Sequence, residues 1–176
     1  MEEKNPLKIE VRCTVKDIFR YNLWVAYKNW TNKAVSVVGL GLIVYFIYQL
    51  MHTTETLDIF IAQNLIILLL GLFLFAGQFS KVWKITLAQM QTPALAKGTT
   101  YTFTNEKIYL TLKQATEEID WEVYVKVVET KNDFRFFIDA VQAQLIPKHC
   151  MNKEELSRLK EMIKETMPEE KRQLKA

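Results

Sequence analysis

The sequence predicts a membrane α+β protein, in which two transmembrane helices form a hairpin and most other residues form a small β-rich domain. Two stretches carry the membrane prediction: residues 34–51 contain no charged side chain, and residues 57–79 are almost as apolar. A third observation predicts the domain. After residue 98, apolar and polar side chains alternate with a period of two, which is typical of strands that bury one face.

The two apolar stretches are long enough to cross a bilayer. Residues 34–51 extend about 27 Å as a helix, which just spans the hydrocarbon core, and the longer stretch 57–79 can span with tilt. The connecting residues 52–56 are so few that the helices must run antiparallel. A buried helix pair in a soluble protein is disfavoured, because a much larger protein would be needed to cover it.

The charges around the hairpin predict its orientation. Lysines flank it on both sides, whereas the connection contains Glu55 and is followed by Asp58 at the outer edge of the second span, without Lys or Arg. The positive-inside rule therefore places both flanks in the cytoplasm, and tryptophan and tyrosine near the same ends favour the headgroup layer. The predicted membrane-interface anchors are Trp24, Tyr27, Lys28, Trp30, Lys33, Lys81, Trp83 and Lys84.

The segments next to the hairpin have their own patterns. Within residues 1–15, Leu7–Val15 alternates as a half-buried strand. Thr14 and Asp17 then have the spacing of a helix cap, and an amphipathic interfacial helix is predicted over residues 16–33, joining the first span. Residues 80–98 are predicted to extend the second helix and to form a linker, because a proline at position 93 disfavours further helix.

Residues 99–167 predict an antiparallel domain closed by a helix. Asn152 and Glu155 form the start of that helix, whose apolar stripe would cover one end of the sheets. Residues 168–176 are a charged tail, expected to be frayed. The predicted strands are Tyr101–Thr104, Ile108–Leu112, Glu117–Trp121, Val123–Glu129, Phe134–Ile138 and Gln144–Pro147. Together with the strand before the spans, they predict a pleckstrin-homology-like (PH-like) barrel or sandwich, with the hairpin inserted after its first strand.

No motif in the sequence predicts catalysis, a cofactor or a metal site. The net charge of +3 is too mild to predict nucleic-acid binding. Cys13 and Cys150 lack the spacing of a zinc site and are predicted to be small packed thiols. Basic residues of the β-rich domain are scattered among acids, which disfavours a concentrated lipid-headgroup pocket.

Polar side chains within the spans are the remaining candidates. Tyr48, Gln49, Gln63 and Asn64 lie near the outer ends of the two helices, at similar depth in an antiparallel hairpin. They are predicted to form interhelical hydrogen bonds within the hairpin or in a homodimer. A transport or ligand role is the alternative. Small residues near the middle of the first span allow close packing without forming a GxxxG motif.

Short sequence motifs in the β-rich region resemble those of the YcxB-like family. The resemblance rests on YTFTNEKI at 101–108, IDW at 119–121, VKVVET at 125–130, FRFF at 134–137 and LIPK at 145–148. It implies a small bacterial plasma-membrane protein with an N-terminal strand, two membrane helices, this domain and both termini in the cytoplasm. It implies no defined activity. His149 and Cys150 depart from the family pattern, in which a basic and then a large apolar residue are more frequent.

These observations predict a non-enzymatic protein that presents the PH-like module at the inner membrane face, for protein interaction or modulation of a membrane process. The predicted partners are the lipid bilayer, a protein of unknown identity and, as an option, a second copy of the chain. A bacteriocin-immunity protein acting against membrane-active peptides is one alternative. An accessory transporter subunit that uses Gln63 and Asn64 is another.

Overall fold

The computed structural model describes residues 6–92, 95, 97–112 and 115–175. The chain is a mixed α+β protein that divides into two compact units. One unit is discontinuous in sequence and combines residues 1–17 with residues 89–176; the other comprises residues 18–88. Both β-sheets lie in the discontinuous unit, here called the β-unit. The other is called the helical unit.

The elements follow the predicted order, with differences at their ends. The bounds are β1 Leu7–Val11, α1 Val15–Ala26, α2 Trp30–His52, α3 Leu57–Met90, β2 Thr99–Phe103, β3 Lys107–Leu112, β4 Ala115–Asp120, β5 Lys126–Glu129, β6 Asp133–Phe137, β7 Ala143–Pro147, α4 Lys153–Thr166 and β8 Arg172–Gln173. Single 3₁₀ turns cover Trp121–Val123, Lys148–Cys150 and Glu169–Lys171.

The helical unit contains two long apolar helices. Among the residues that the structure describes, α2 and α3 are long and apolar enough to cross a membrane, by length and composition. The interfacial helix predicted over 16–33 ends early: α1 stops at Ala26 and α2 starts at Trp30. The reason is local, because the side chain of Asn29 accepts a hydrogen bond from the backbone of Thr31 at 2.9 Å and caps a new helix.

Helices α2 and α3 come into close contact at two glycines. A Cβ atom built on Gly39 would lie 2.7 Å from the backbone nitrogen of Phe75 and 3.0 Å from the carbonyl oxygen of Gly71. One built on Gly71 would lie 3.1 Å from the carbonyl oxygen of Gly39. The two backbones therefore touch where neither residue has a side chain, and this contact does not require a GxxxG motif within one helix.

The first sheet joins residues on both sides of the helical unit. Its order is β1-β2-β3-β4, and β1 pairs antiparallel with β2 from Leu7 opposite Phe103 to Val11 opposite Thr99. The predicted pairing between the strand before the spans and strands after them is therefore present. Strand β1 is shorter than the predicted Leu7–Val15, because Thr14 already caps α1.

The second sheet has the order β7-β6-β5-β8. Strands β5, β6 and β7 are antiparallel, whereas β8 runs parallel to β5, with Val127 opposite Arg172 and Val128 opposite Gln173. The expectation of a frayed tail over 168–176 was therefore wrong for its described residues. Backbone pairing of this segment to a sheet edge could not be predicted from its charged composition.

Aromatic side chains form the core between the sheets. Phe103 of β2 lies 5.9 Å from Phe136 of β6 between ring centres, and Tyr124 meets Phe136 edge-on at 5.3 Å. Trp121 is also buried and donates its indole N–H to the carbonyl of Thr104 at 2.9 Å. Helix α4 adds apolar side chains to the β-unit core, and its buried residues are Leu159, Met162 and Ile163.

The start of α4 and the end of α3 agree with local signals in the sequence. The predicted capping box of α4 is confirmed, because Asn152 and Glu155 each accept a hydrogen bond from the other's backbone at 2.8 Å. Helix α3 ends at Met90, before the predicted proline stop. Positions 93, 94 and 96 of the predicted linker, and positions 1–5 of the first segment, lie outside the described residues.

Candidate functional site

A polar cluster joins the start of α1 to the 3₁₀ turn after β7. His149 Nε2 lies 2.9 Å from Asp17 Oδ2, and the same oxygen accepts hydrogen bonds from the backbone and the hydroxyl of Thr14 at 2.9 and 2.6 Å. The helix cap places Asp17, and the turn that follows Pro147 places His149. The cluster therefore ties together two segments that are distant in sequence.

The carboxylate of Asp17 is kept ionised by its partners. Partial burial favours the neutral acid, but hydrogen bonds from Thr14 and His149 outweigh burial, so the pKa of Asp17 is lowered from its usual value. The sequence had suggested only a capping role for this residue. Its pairing with His149 spans 132 positions, and no local pattern indicates it.

Cys150 lies beside the imidazole of His149. Its Sγ atom is 3.6 Å from His149 Nδ1, accepts from the backbone N–H of Arg12 at 3.4 Å and donates to the carbonyl of Arg12 at 3.5 Å. A thiol, an imidazole and a carboxylate in this order resemble an activated nucleophile. However, burial raises the pKa of Cys150, whereas activation requires a lowered one. The geometry therefore fits a packed thiol that helps to close β1 against the turn.

The second cysteine is also packed. Cys13 is buried, its thiol lies 3.9 Å from the carbonyl oxygen of Leu145, and burial raises its pKa to about 12. A thiol with such a pKa is protonated at neutral pH and is a poor nucleophile or metal ligand. The prediction of small packed thiols fits both environments.

A second cluster is centred on Glu129 of β5. This buried carboxylate accepts hydrogen bonds from Lys148 Nζ at 2.5 Å, from Lys160 Nζ at 3.0 Å and from the backbone N–H of Lys175 at 2.8 Å. Partial burial opposes its ionisation, but the three donors outweigh burial and lower the pKa of Glu129. Lys148 also lies 5.4 Å from the ring centre of Phe134. The Glu129 cluster thus joins β5, the turn that follows β7, α4 and the residues that follow α4.

The predicted interface anchors gather at one end of the helical hairpin. Trp30 at the start of α2 is 78% exposed, and Trp24 and Trp83 are also exposed. The ammonium of Lys28 lies 5.6 Å from the ring centre of Trp24. Tyr27 contacts Ser36 Oγ through its hydroxyl at 2.9 Å. The remaining predicted anchors, all exposed, are Lys33, Lys81 and Lys84. Their contact with a membrane interface stays a prediction.

Three of the four predicted interhelical polar residues, Tyr48, Gln49 and Asn64, have partners on their own helices. Gln49 donates to the hydroxyl of Tyr45 at 2.8 Å, and Asn64 donates to the carbonyl of Phe60 at 3.0 Å. The rings of Tyr48 and His52 are tilted against each other with 4.3 Å between their centres, and Gln63 is exposed. These contacts do not join α2 to α3, and the predicted interhelical hydrogen bonds of the four residues, within the hairpin or in a homodimer, stay a prediction. The close contact that the structure shows between α2 and α3 is at Gly39 and Gly71.

One polar pair that joins helices was missed. Asn22 Nδ2 of α1 donates to Thr86 Oγ1 of α3 at 3.0 Å, and Thr86 is fully buried and donates to the carbonyl of Val82 at 2.9 Å. Phe19 and Trp83 pack edge-on beside them, at 5.6 Å. The sequence gives little indication of this pair, because a single threonine among lysines and apolar residues is not distinctive.

The fold defines a mixed α+β protein with two helices suited to a membrane, and the comparisons with known proteins specify it further. Residues 103–163 match the family described as YcxB-like protein. The uncharacterized protein YcxB of Bacillus subtilis (strain 168) is 28% identical over 116 residues, which cover 65% of this chain and 63% of that relative. The match therefore spans less than two thirds of the relative's length. The predicted resemblance to the YcxB-like family is confirmed. No solved structure matches the chain.

Proposed function

We propose that this chain is a non-enzymatic protein of the bacterial plasma membrane, anchored by α2 and α3, which presents the β-unit to a protein partner at the inner face. The observation that carries the proposal is the exposure of large apolar side chains on these helices. Ile66 and Phe73, for example, are 78% and 73% exposed. A core helix of a soluble protein would bury such residues, whereas lipid would cover them here.

The arrangement of strands supports a PH-like module. The described residues form a four-stranded antiparallel sheet and a second sheet whose three longer strands are antiparallel. Helix α4 follows the last of the longer strands and buries an apolar stripe. This order of seven strands and one closing helix is the one that the sequence pattern predicted for such a module.

The pairing of β1 with β2 supports a single orientation of the anchor. Because β1 precedes the hairpin and β2 follows it, the two flanks lie on the same side of a membrane that the hairpin crosses twice. Lysines on both flanks favour the cytoplasmic side. We therefore expect the β-unit and both termini to be cytoplasmic.

This topology is tested with paired reporters. Green fluorescent protein inserted after Lys148 is expected to fluoresce, and alkaline phosphatase at the same position is expected to be inactive. The matched control places the same reporters after Thr54, where the opposite result is expected. An active phosphatase after Lys148 would contradict the cytoplasmic placement of the β-unit.

An exposed apolar patch on the β-unit supports a protein partner. Val123 and Val125 lie just before β5, and they are 45% and 50% exposed. The backbone N–H of Val125 donates to the carbonyl of Phe137, which places it beside Ile138, and Val141 lies in the following turn. Apolar patches on a domain surface frequently mark interaction sites.

The partner is tested by photo-crosslinking in native membranes. A photoreactive amino acid replacing Val125 in the full chain is expected to give a discrete protein adduct. Replacement of the exposed Glu118, on the other sheet, is the matched control and should give none. Adducts with lipid alone at position 125 would overturn the assignment of a protein partner to this patch.

A further inference from the structure

The outer edge of β5 is covered by a very short strand. On one side β5 pairs with β6 along its whole length, whereas on the other side β8 contributes two residues opposite Val127 and Val128. The edge of a sheet presents backbone donors and acceptors that pair readily with an extended segment of another chain. The C-terminal segment, defined as residues 168–175, thus occupies a position that a partner strand could take.

Polar contacts next to the ladder show what chemistry this position accepts. Nη1 of Arg172 donates to the carbonyls of Lys164 and Met167 at the C-terminal end of α4. A cation at a helix C-terminus is favoured by unpaired carbonyls and by the helix dipole. Further along, the backbone N–H of Lys175 donates to Glu129 Oε2 at 2.8 Å, and its carbonyl accepts from Lys160 Nζ at 3.1 Å.

The C-terminal segment is therefore held by a few specific hydrogen bonds and not by a strongly charged surface. Lys148 and Lys160 neutralise Glu129, so the position of Arg172 is defined by the two carbonyls at the end of α4. The position suits an extended segment with a long cationic side chain, followed by backbone groups that reach Glu129 and Lys160. A negatively charged side chain there would face carbonyl oxygens without a donor.

The attachment of the segment is suited to exchange. Gln173 and Lys175 are exposed, and Arg172 is half-buried. The segment leaves α4 through Pro168, after the last helical turn. Hydrogen bonds at such a half-exposed surface contribute little to stability, because water can replace either partner. The segment can therefore leave the edge while the aromatic core between the two sheets stays packed.

We propose that the outer edge of β5 and the C-terminal end of α4 form an acceptor site for an extended segment of a partner protein, with Arg or Lys at the position of Arg172. The C-terminal segment occupies this site within the same chain until the partner displaces it. The inference rests on the proposed function of a protein-interaction module and names the surface and the chemistry of the partner.

The proposal is tested on the full chain in lipid nanodiscs. Arg172→Ala removes the side chain that holds the segment, and Lys175→Pro removes the N–H that reaches Glu129. The probe is a fluorescent peptide with the sequence of residues 167–175, followed by anisotropy. Both variants are expected to bind it at least tenfold more tightly than the original protein does. The matched control is Lys153→Ala, an exposed cation at the start of α4, which should bind no better than the original protein.

A second peptide tests the cation. Replacement of its arginine with glutamate is expected to weaken binding to both variants at least tenfold. Equal binding of the two peptides would overturn the assigned chemistry. Absence of binding to both variants, with unchanged unfolding temperatures, would overturn the acceptor site. Self-association of the variants that the peptide abolishes would identify a second copy as the occupant and overturn the partner assignment.

Hydrogen exchange of the original protein provides a measurement that needs no variant. The amides of Arg172 and Gln173 are expected to exchange at least tenfold faster than those of the β5–β6 ladder, because the segment opens locally. Equal protection would mean that the segment leaves only on global unfolding, and would overturn the proposal. A crosslink from position 125 to a protein, with none of these peptide effects, would leave the proposed function intact and refute this inference alone.

Discussion

Replacement of Glu129 with glutamine is expected to lower the free energy of unfolding of the β-unit by about 3 kcal/mol. Glu129 is 5% exposed and accepts hydrogen bonds from Lys148, Lys160 and the backbone of Lys175. Glutamine has nearly the same shape, but it leaves two partly buried ammonium groups without a counter-charge. Because both of them contact Oε1 and the backbone N–H of Lys175 contacts Oε2, the new amide N–H₂ must face either the two ammonium groups or that N–H.

The pH dependence follows from the lowered pKa of Glu129. A carboxyl group whose pKa is lower in the folded protein contributes its full stability above its unfolded value, near pH 4, and loses it as the pH falls through the folded value. The stability difference between the original protein and Glu129→Gln is therefore expected to be largest at neutral pH and to shrink below about pH 4.

The measurement is urea unfolding of the full chain in nanodiscs, followed by tryptophan fluorescence between pH 3 and pH 7. Glu118→Gln is the matched control, since Glu118 pairs with Lys107 at 2.9 Å on an exposed face. Water and salt screen an exposed pair, so this variant should change little. Equal effects of the two substitutions would show that burial of Glu129 has no energetic consequence.

The strand pattern of the β-unit could be predicted because it depends on local alternation. Each of the six strands predicted after residue 98 overlaps an observed one, from Tyr101–Thr104 within the region of β2 to Gln144–Pro147 within that of β7. The start of α4 was also predicted, because a capping box is formed by two residues that are only three positions apart in the sequence. Signals of this kind need no knowledge of the tertiary fold.

The polar clusters could not be predicted, because their members are distant in sequence. Asp17 meets His149 across 132 positions, and Asn22 meets Thr86 across 64. Nothing in the local sequence indicates which polar residue each of these side chains will contact. The Glu129 cluster has the same property, since Lys148 was one of many scattered lysines until the fold placed it beside a buried carboxylate.

The pairing of the C-terminal segment with β5 could not be predicted from the sequence for a different reason. Its composition is charged, which normally indicates a solvated tail. Its order depends on groups outside the segment: the edge of β5, two carbonyls of α4 and the carboxylate of Glu129. A sequence pattern reports what a segment can bury by itself, whereas backbone pairing and capping by a neighbour depend on what the rest of the fold leaves unpaired.

The contact between α2 and α3 permits the second prediction of large effect. Gly39→Ala is expected to destabilise the helical hairpin by about 2 kcal/mol, whereas Gly41→Ala on the same helix is expected to be neutral or slightly stabilising. The added Cβ at position 39 would lie 2.7 Å from the backbone nitrogen of Phe75, which is too close for any carbon atom. At position 41 it would meet nothing within 4 Å.

The magnitude results from two opposing terms. Overpacking against a backbone costs about 1–3 kcal/mol, because the helices must separate and lose contacts along their length. The better helix propensity of alanine returns up to about 1 kcal/mol, and it does so at both positions. The difference between the two variants therefore isolates the steric cost at Gly39 from the change in propensity.

The measurement is a titration of the full chain with SDS in mixed micelles, followed by circular dichroism of the helices. A midpoint that falls for Gly39→Ala and stays or rises for Gly41→Ala would support the glycine contact. Gly71→Ala should behave as Gly39→Ala does, because its Cβ would lie 3.0 Å from Ile43 and 3.1 Å from the carbonyl of Gly39. If all three variants shifted the midpoint alike, the helices would not meet at these two glycines, and the polar residues near their outer ends would again be the candidates for holding the hairpin together.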